Sequence, residues 1–199
     1  MRRRRDPGRG FTLIEVMVAL AVILILAAVA VPQLNGYLDQ KRVEAAATQL
    51  AEVRDALFNP STTTDFRSVI TANAGKLSEL TTALAATDLD SCQTTFSGGQ
   101  RGNWVGPYLN YAIDPTSGMA TPIGQADNLL TRNPAGGGGA SGTLRITFTN
   151  TVRLDDAQNL DLYVDGTSAF NAGTIQWTPQ NGTNGLVTLH YFIVIDGTC

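Results

Sequence analysis

The residue types best placed to do chemistry stand at the start of the chain, where Arg9-Gly10-Phe11-Thr12-Leu13-Ile14-Glu15 opens an apolar run that ends at Val31. Gly10 lets a protease approach the backbone with no side chain to exclude it, so the bond between Gly10 and Phe11 is a candidate processing point. Glu15 is the second reactive group. Apart from Thr12 and Glu15, the run from Phe11 to Val31 is apolar or small. A carboxylate in the middle of such a helix costs about 2.5 to 3.5 kcal/mol on membrane insertion, although a place near the end lets it snorkel towards the headgroups. A function must justify that cost.

Enzymatic chemistry finds little support elsewhere. His190 is the only histidine, and it sits in an alternating apolar segment beside Thr188 and Phe192, where a packed or surface strand residue is the default reading. No Gly-x-Ser-x-Gly elbow, paired catalytic carboxylate motif or histidine metal cluster occurs. Gly136 to Gly139 lacks the Lys-Ser or Lys-Thr of a phosphate loop and reads as a surface loop. Trp104, Tyr108 and Tyr111 offer a platform for sugar or peptide, against the simpler reading as aromatic core or subunit contact. The pattern predicts a protein that is not an enzyme.

The element that must position Gly10, Phe11 and Glu15 is the apolar run itself. Its 21 residues give roughly 30 Å of helix, about the hydrocarbon thickness of a bilayer. Arg2 to Arg5 and Arg9 form a positive cluster immediately before it, which keeps the N-terminus cytoplasmic and sends the remainder outward. An ordinary secretory signal would have a shorter apolar core and a small-residue cleavage site behind it; Ala27, Ala28 and Ala30 imitate one. Processing before the run, at Gly10, is the favoured reading.

The sequence G-F-T-L-I-E followed by V-M-V-A-L-A-V-I-L-I-L-A-A-V-A-V-P resembles the N-terminus of type IV pilins and type II secretion pseudopilins. The resemblance covers about the first third of the chain. It implies cleavage after Gly10 by a membrane-embedded prepilin peptidase and N-methylation of the new terminal residue, Phe11. It also implies a helix-bending role for Pro32, and pairing of Glu15 with the amine of a neighbouring subunit's Phe11 during filament assembly. Physical logic agrees, because cleavage at Gly10 would create a positive amine one helical turn from Glu15. The bland alternative is an isolated membrane anchor with an interfacial glutamate.

Composition leaves room for one soluble domain of ordinary size beyond the helix. Residues 1 to 10 carry five arginines and one aspartate, a net charge of +4, whereas the whole chain is at −3 and the part from Phe11 onward therefore at −7. The basic character belongs to the expected leader. An acidic mature surface argues against strong binding to nucleic-acid phosphates, for which only the scattered Lys41, Arg42, Arg67, Lys76, Arg132 and Arg145 are candidates.

The predicted fold is α+β: a long N-terminal helix, membrane-spanning in its first half and amphipathic in its second, packed on a C-terminal antiparallel sheet. The predicted segments are a basic leader (1–10), a transmembrane and polymerisation helix (11–31), its amphipathic continuation (32–58) and a globular head (59–199). Leu34, Leu38, Ala46, Leu50, Val53 and Leu57 mark the apolar stripe of the continuation, and Asn59-Pro60 stops it. Pro32 and Gly36 mark a place for the rod to bend or locally unwind. A second helical stretch is expected within Thr64 to Thr87, with Leu77, Leu80 and Leu84 on one side and a break or bend at Gly75. Alternation then predicts strands at Leu144 to Phe148, at Leu160 to Val164, at Ile175 to Trp177 and at Leu186 to Ile195, with turns at Asn181-Gly182 and Asn184-Gly185.

Cys92 and Cys199 both lie in the part expected outside the cytoplasm, where an even pair favours a disulfide over two free thiols. Such a bond would close a loop of about a hundred residues, worth roughly 4 to 5 kcal/mol in the chain-entropy model. Gly106-Pro107-Tyr108-Leu109 with Asp114-Pro115 is similar to a loop of major pseudopilins, which hold calcium in a later loop. Asp155, Asp156, Asp161 and Asp165 are the acids available here, without EF-hand spacing to order them, and solvated turn or strand-edge aspartates are the default. No other cofactor is expected.

The resemblance thus implies a filament subunit of the bacterial inner membrane with its head outside, assembled into a periplasmic or extracellular filament. Its partners would be the prepilin peptidase and N-methyltransferase, identical or related pilins and an inner-membrane assembly platform. The competing class is a membrane-anchored minor pilin acting as an adhesin or DNA-binding module.

Overall fold

The computed structural model describes residues 11–58, 75–133, 142–178 and 184–195. The leader, Asn59-Pro60, the first part of the expected second helix, Arg67, Gly136 to Gly139, Asn181-Gly182 and Cys199 lie outside the described residues. Helix α1 spans Leu13–Phe58, 46 residues, and is assigned without interruption through Pro32 and Gly36. The chain divides into two compact units, Met1–Gln40 and Lys41–Cys199.

In the second unit α1 carries the stripe that begins the core. Val43, Ala46, Ala47, Leu50, Val53 and Leu57 are buried, at the three- and four-residue steps that place side chains on one face of a helix. Glu52, Arg54 and Asp55 lie exposed on the other side. Each buried leucine or valine of this stripe contributes about 1.5 to 3 kcal/mol. Leu34 and Leu38, expected on the same stripe, are more than half exposed.

The stripe shares its core with a four-stranded antiparallel sheet. Its strands are β3 (Thr131–Asn133), β4 (Gly142–Arg153), β5 (Ile175–Trp177) and β6 (Leu186–Ile195), in the order β3-β4-β6-β5. Two-residue alternation decides which face is inward: Leu144, Ile146, Phe148 and Val152 of β4 and Val187, Leu189, Tyr191, Ile193 and Ile195 of β6 are all buried. Ile146 stands opposite Tyr191, and Phe148 opposite Leu189. The register shifts between Phe148 and Val152, where Asn150 takes a positive φ of 52° and exchanges hydrogen bonds with Thr188. This bulge keeps the apolar alternation in phase on both of its sides. Of the expected strands, those around Leu144 to Phe148, Ile175 to Trp177 and Leu186 to Ile195 are present. A small hairpin of β1 (Met119–Thr121) and β2 (Gly124–Ala126), along with the short helix α2 (Gly98–Gly102), was not legible in the sequence.

Two expectations are corrected. The segment Leu160 to Val164, read as a strand, belongs to helix α3 (Leu154–Asp165). Asp155 and Asp156 fall in its first turn, where carboxylates suit the positive end of the helix dipole. Asp156, Ala157, Leu160 and Asp161 form its buried side, a helical spacing, whereas Leu162 and Val164 are exposed. Gly166 closes it in the left-handed conformation, φ 73°, donating its N–H to Leu162. The described part of the second expected helix holds only a 3-10 turn, Leu77–Leu80. Leu77, Leu80 and Leu84 are buried as anticipated. A side chain at Gly75 would lie 2.0 Å from the carbonyl oxygen of Leu89, so glycine there permits close backbone approach.

Candidate functional site at the N-terminus

Phe11 precedes the helix and is 86% exposed. Thr12 then caps α1. The Glu15 N–H donates to the Thr12 hydroxyl at 3.3 Å, while Glu15 Oε2 accepts from the Thr12 N–H at 3.4 Å and from its hydroxyl at 3.3 Å. This reciprocal pair is a capping box, which satisfies amide groups that the first helical turn leaves without partners. The Thr-x-x-Glu spacing that signals such a box stands in the sequence at Thr12 and Glu15. The carboxylate therefore sits at the positive end of the helix, within one turn of Phe11.

From Leu13 to Val31 the large apolar side chains stand outward, with Leu13, Ile14, Met17, Leu24, Ile25 and Leu26 each more than 60% exposed. The helix is long and apolar enough to cross a membrane, and its most apolar stretch is unburied among the described residues. A soluble surface does not tolerate an exposed apolar patch of that size, so its partner is lipid or other protein. Gly36 has open space around it. Cleavage at Gly10 lies outside the described residues, as does the Cys199 end of the expected disulfide.

The remaining candidates have structural surroundings. Trp104 donates its indole N–H to the Glu79 carbonyl at 2.9 Å and meets Tyr108 edge-on at 5.8 Å, and both pack with Tyr111 against the core. Asp161 accepts the Ala169 N–H at 2.7 Å and Asp165 the Ile175 N–H at 2.8 Å, so the two hold the backbone that follows α3. Burial, with Asp165 nearby, raises the carboxyl pKa of Asp161. Among the described residues no three His, Cys, Asp or Glu side chains gather as metal ligands. His190 lies half-buried on β6 with Nδ1 3.3 Å from the Thr147 hydroxyl. Lys41 pairs with Glu44 at 2.6 Å and Lys76 with Asp88 at 2.7 Å.

One buried acid escaped the sequence reading. Glu79, 3% exposed, accepts the Gly75 N–H at 3.2 Å through one oxygen, and the other is buried with no hydrogen-bond partner. Loss of solvation pushes its carboxyl up to about 7, against the lowering effect of the Gly75 and Lys76 amides. No spacing rule announces a buried glutamate inside a Leu-Ser-Glu-Leu turn.

Comparison with known proteins bears on the same N-terminal segment. Residues 7–31 match the family described as the prokaryotic N-terminal methylation motif. The chain is 41% identical over 49 residues to the type IV major fimbrial protein FimA of Dichelobacter nodosus, a stretch that is 25% of this chain and 31% of that protein. It is 42% identical over 48 residues to a fimbrial protein of Pseudomonas aeruginosa, 24% of this chain and 31% of that one. The match thus spans about a third of these relatives' length, and no solved structure matches. The chain carries the prokaryotic N-terminal methylation motif, and over that quarter of its length it is similar to type IV fimbrial proteins.

Proposed function

We propose that the chain is a structural subunit, not an enzyme, of a type IV pilus or a type II secretion pseudopilus. The observation that carries this reading is the uncovered apolar helix that begins with Phe11, Thr12 and Glu15 inside the methylation motif. Residues 1–10 act as a leader removed after Gly10 by a prepilin peptidase, which then methylates the Phe11 amine. Residues 11–31 hold the subunit in the inner membrane with its N-terminus cytoplasmic, and residues 59–199 form the head outside. On assembly, the Phe11 amine of one subunit meets Glu15 of another, and the apolar helices exchange lipid for each other in a periplasmic or extracellular filament. An inner-membrane platform supplies subunits to the growing end. Pro32 and Gly36 let α1 bend to fit the filament.

A Cys92–Cys199 bond ties the C-terminus to the head, a reading supported by Cys92, the one described cysteine, not being a free thiol. Replacing Glu15 with Val tests the assembly step. The variant should be cleaved and methylated like the parent but yield few or no filaments by electron microscopy of sheared cells. Filaments at parental abundance would refute the role given to Glu15.

A further inference from the structure

Arg145 stands on the outward face of the sheet, in a setting that differs from those of Lys41, Arg54, Lys76 and Arg101. Lys41, Arg54 and Lys76 each have a carboxylate partner, and Arg101 donates to the Phe96 carbonyl. Arg145 has no ion pair among the described residues, and its Nε is buried without a hydrogen-bond acceptor. Its neighbours follow from the register. Thr131 on β3 and Phe192 on β6 stand directly opposite it, while Thr143 and Thr147 flank it along β4 and share its face. His190 stands opposite Thr147 and Gln176 of β5 opposite His190. The face is open to solvent at Thr149 and at Val194, which is 66% exposed. A buried donor on a charged group costs free energy when it lacks an acceptor, and an anion at the guanidinium would offset part of that cost through its charge.

We propose that this outward sheet face is a binding site for a single oxyanion, a carboxylate or phosphate group of a small ligand. The Arg145 guanidinium is its anchor, with the Thr131, Thr143 and Thr147 hydroxyls and the His190 ring around it. One cation among hydroxyls fits one oxyanion. A polyanion such as a nucleic-acid backbone needs a row of cations, and among the described residues this face presents no such row. The groups facing His190 include one cation, Arg145, and one carboxylate, Asp127, whose Oδ2 accepts the Thr149 hydroxyl at 2.6 Å. Desolvation lowers the His190 pKa first and Arg145 on β4 lowers it further, while Asp127, after β2, acts in the opposite direction and Gln176 on β5 is neutral. The inference does not depend on the filament reading.

Because His190 is the chain's only histidine, its imidazole signal in an untagged full-length chain in non-ionic detergent reports this face alone. Its pKa is to be measured by NMR with and without inorganic phosphate, and separately with glucuronate. Bound anion offsets the repulsion from Arg145, so the pKa should rise saturably by about half a unit or more. Replacing Arg145 with Gln should raise the pKa without ligand and abolish the ligand effect. Arg145→Lys should keep the effect with affinity weakened about tenfold, since an ammonium lacks the planar fork. Arg54→Gln, on α1, should change neither. A response to phosphate identifies the free ion as sufficient, and a response to glucuronate alone assigns the site to a sugar acid. No shift with either anion, or an equal shift in Arg145→Gln, would overturn the proposal.

Discussion

Thr12 and Glu15 hold each other across the first turn of α1, and that geometry explains how a carboxylate can stand at the head of an apolar helix: the Thr12 N–H, the Thr12 hydroxyl and the helix dipole solvate it. The residue types were legible, because a lone acid and a Thr-x-x-Glu spacing are visible in any sequence. Glu79 was not, because its chemistry arises from what surrounds it. Its carboxyl is raised from 4.5 to about 7. A raised acid stabilises the fold fully below its unfolded value, and that contribution is lost as pH rises through the folded value. Between pH 5 and pH 9 the Glu79 contribution should therefore fall by roughly 3 kcal/mol. Glu79→Gln should flatten this fall, so that thermal melts of the full chain at the two pH values differ less in the variant than in the parent. An unchanged difference would remove Glu79 as its source.

At the scale of elements, strands whose apolar residues alternate against polar ones were read correctly, as in Leu144-Arg145-Ile146-Thr147-Phe148 and the whole of β6. Helix α3 was misread for a physical reason. Its buried stripe includes Asp156 and Asp161, whose polarity hides the helical period, and Leu160, Leu162 and Val164 happen to alternate. The helix predicts unequal consequences for two leucines. Leu160→Ala should cost about 2 to 5 kcal/mol, since it empties a fully buried site, and Leu162→Ala should stay within about 0.5 kcal/mol. Denaturant melts of the two variants decide it, and equal losses would contradict the helix. The 3-10 turn at Leu77–Leu80 shows the same limit from another side. Its leucine spacing predicted burial correctly, but the described residues hold a tight 3-10 turn there rather than an α-helix.

On the scale of the whole molecule, an apolar helix left unburied among the described residues and an acidic second unit with its own core set the two ends of one chain apart. The N-terminal motif and its apolar helix were legible in the sequence because hydrophobic length and motif spacing are linear signals. The head's surface was not, since Arg145, Thr131 and His190 meet only through strand register. The proposed disulfide has a direct check in alkylation of the unfolded, unreduced chain. No thiol should be labelled before reduction and both Cys92 and Cys199 afterwards, with labelling before reduction contradicting the bond.

The central claim, that this chain is matured as a filament subunit, is tested most directly by mass spectrometry of its N-terminus. The membrane-extracted protein should be compared from cells with and without a prepilin peptidase. The account predicts a chain that begins at N-methylated Phe11 only when the peptidase is present, with the arginine-rich leader intact in its absence. A leader retained in both cells, or a terminus generated after Ala27, Ala28 or Ala30, would contradict it.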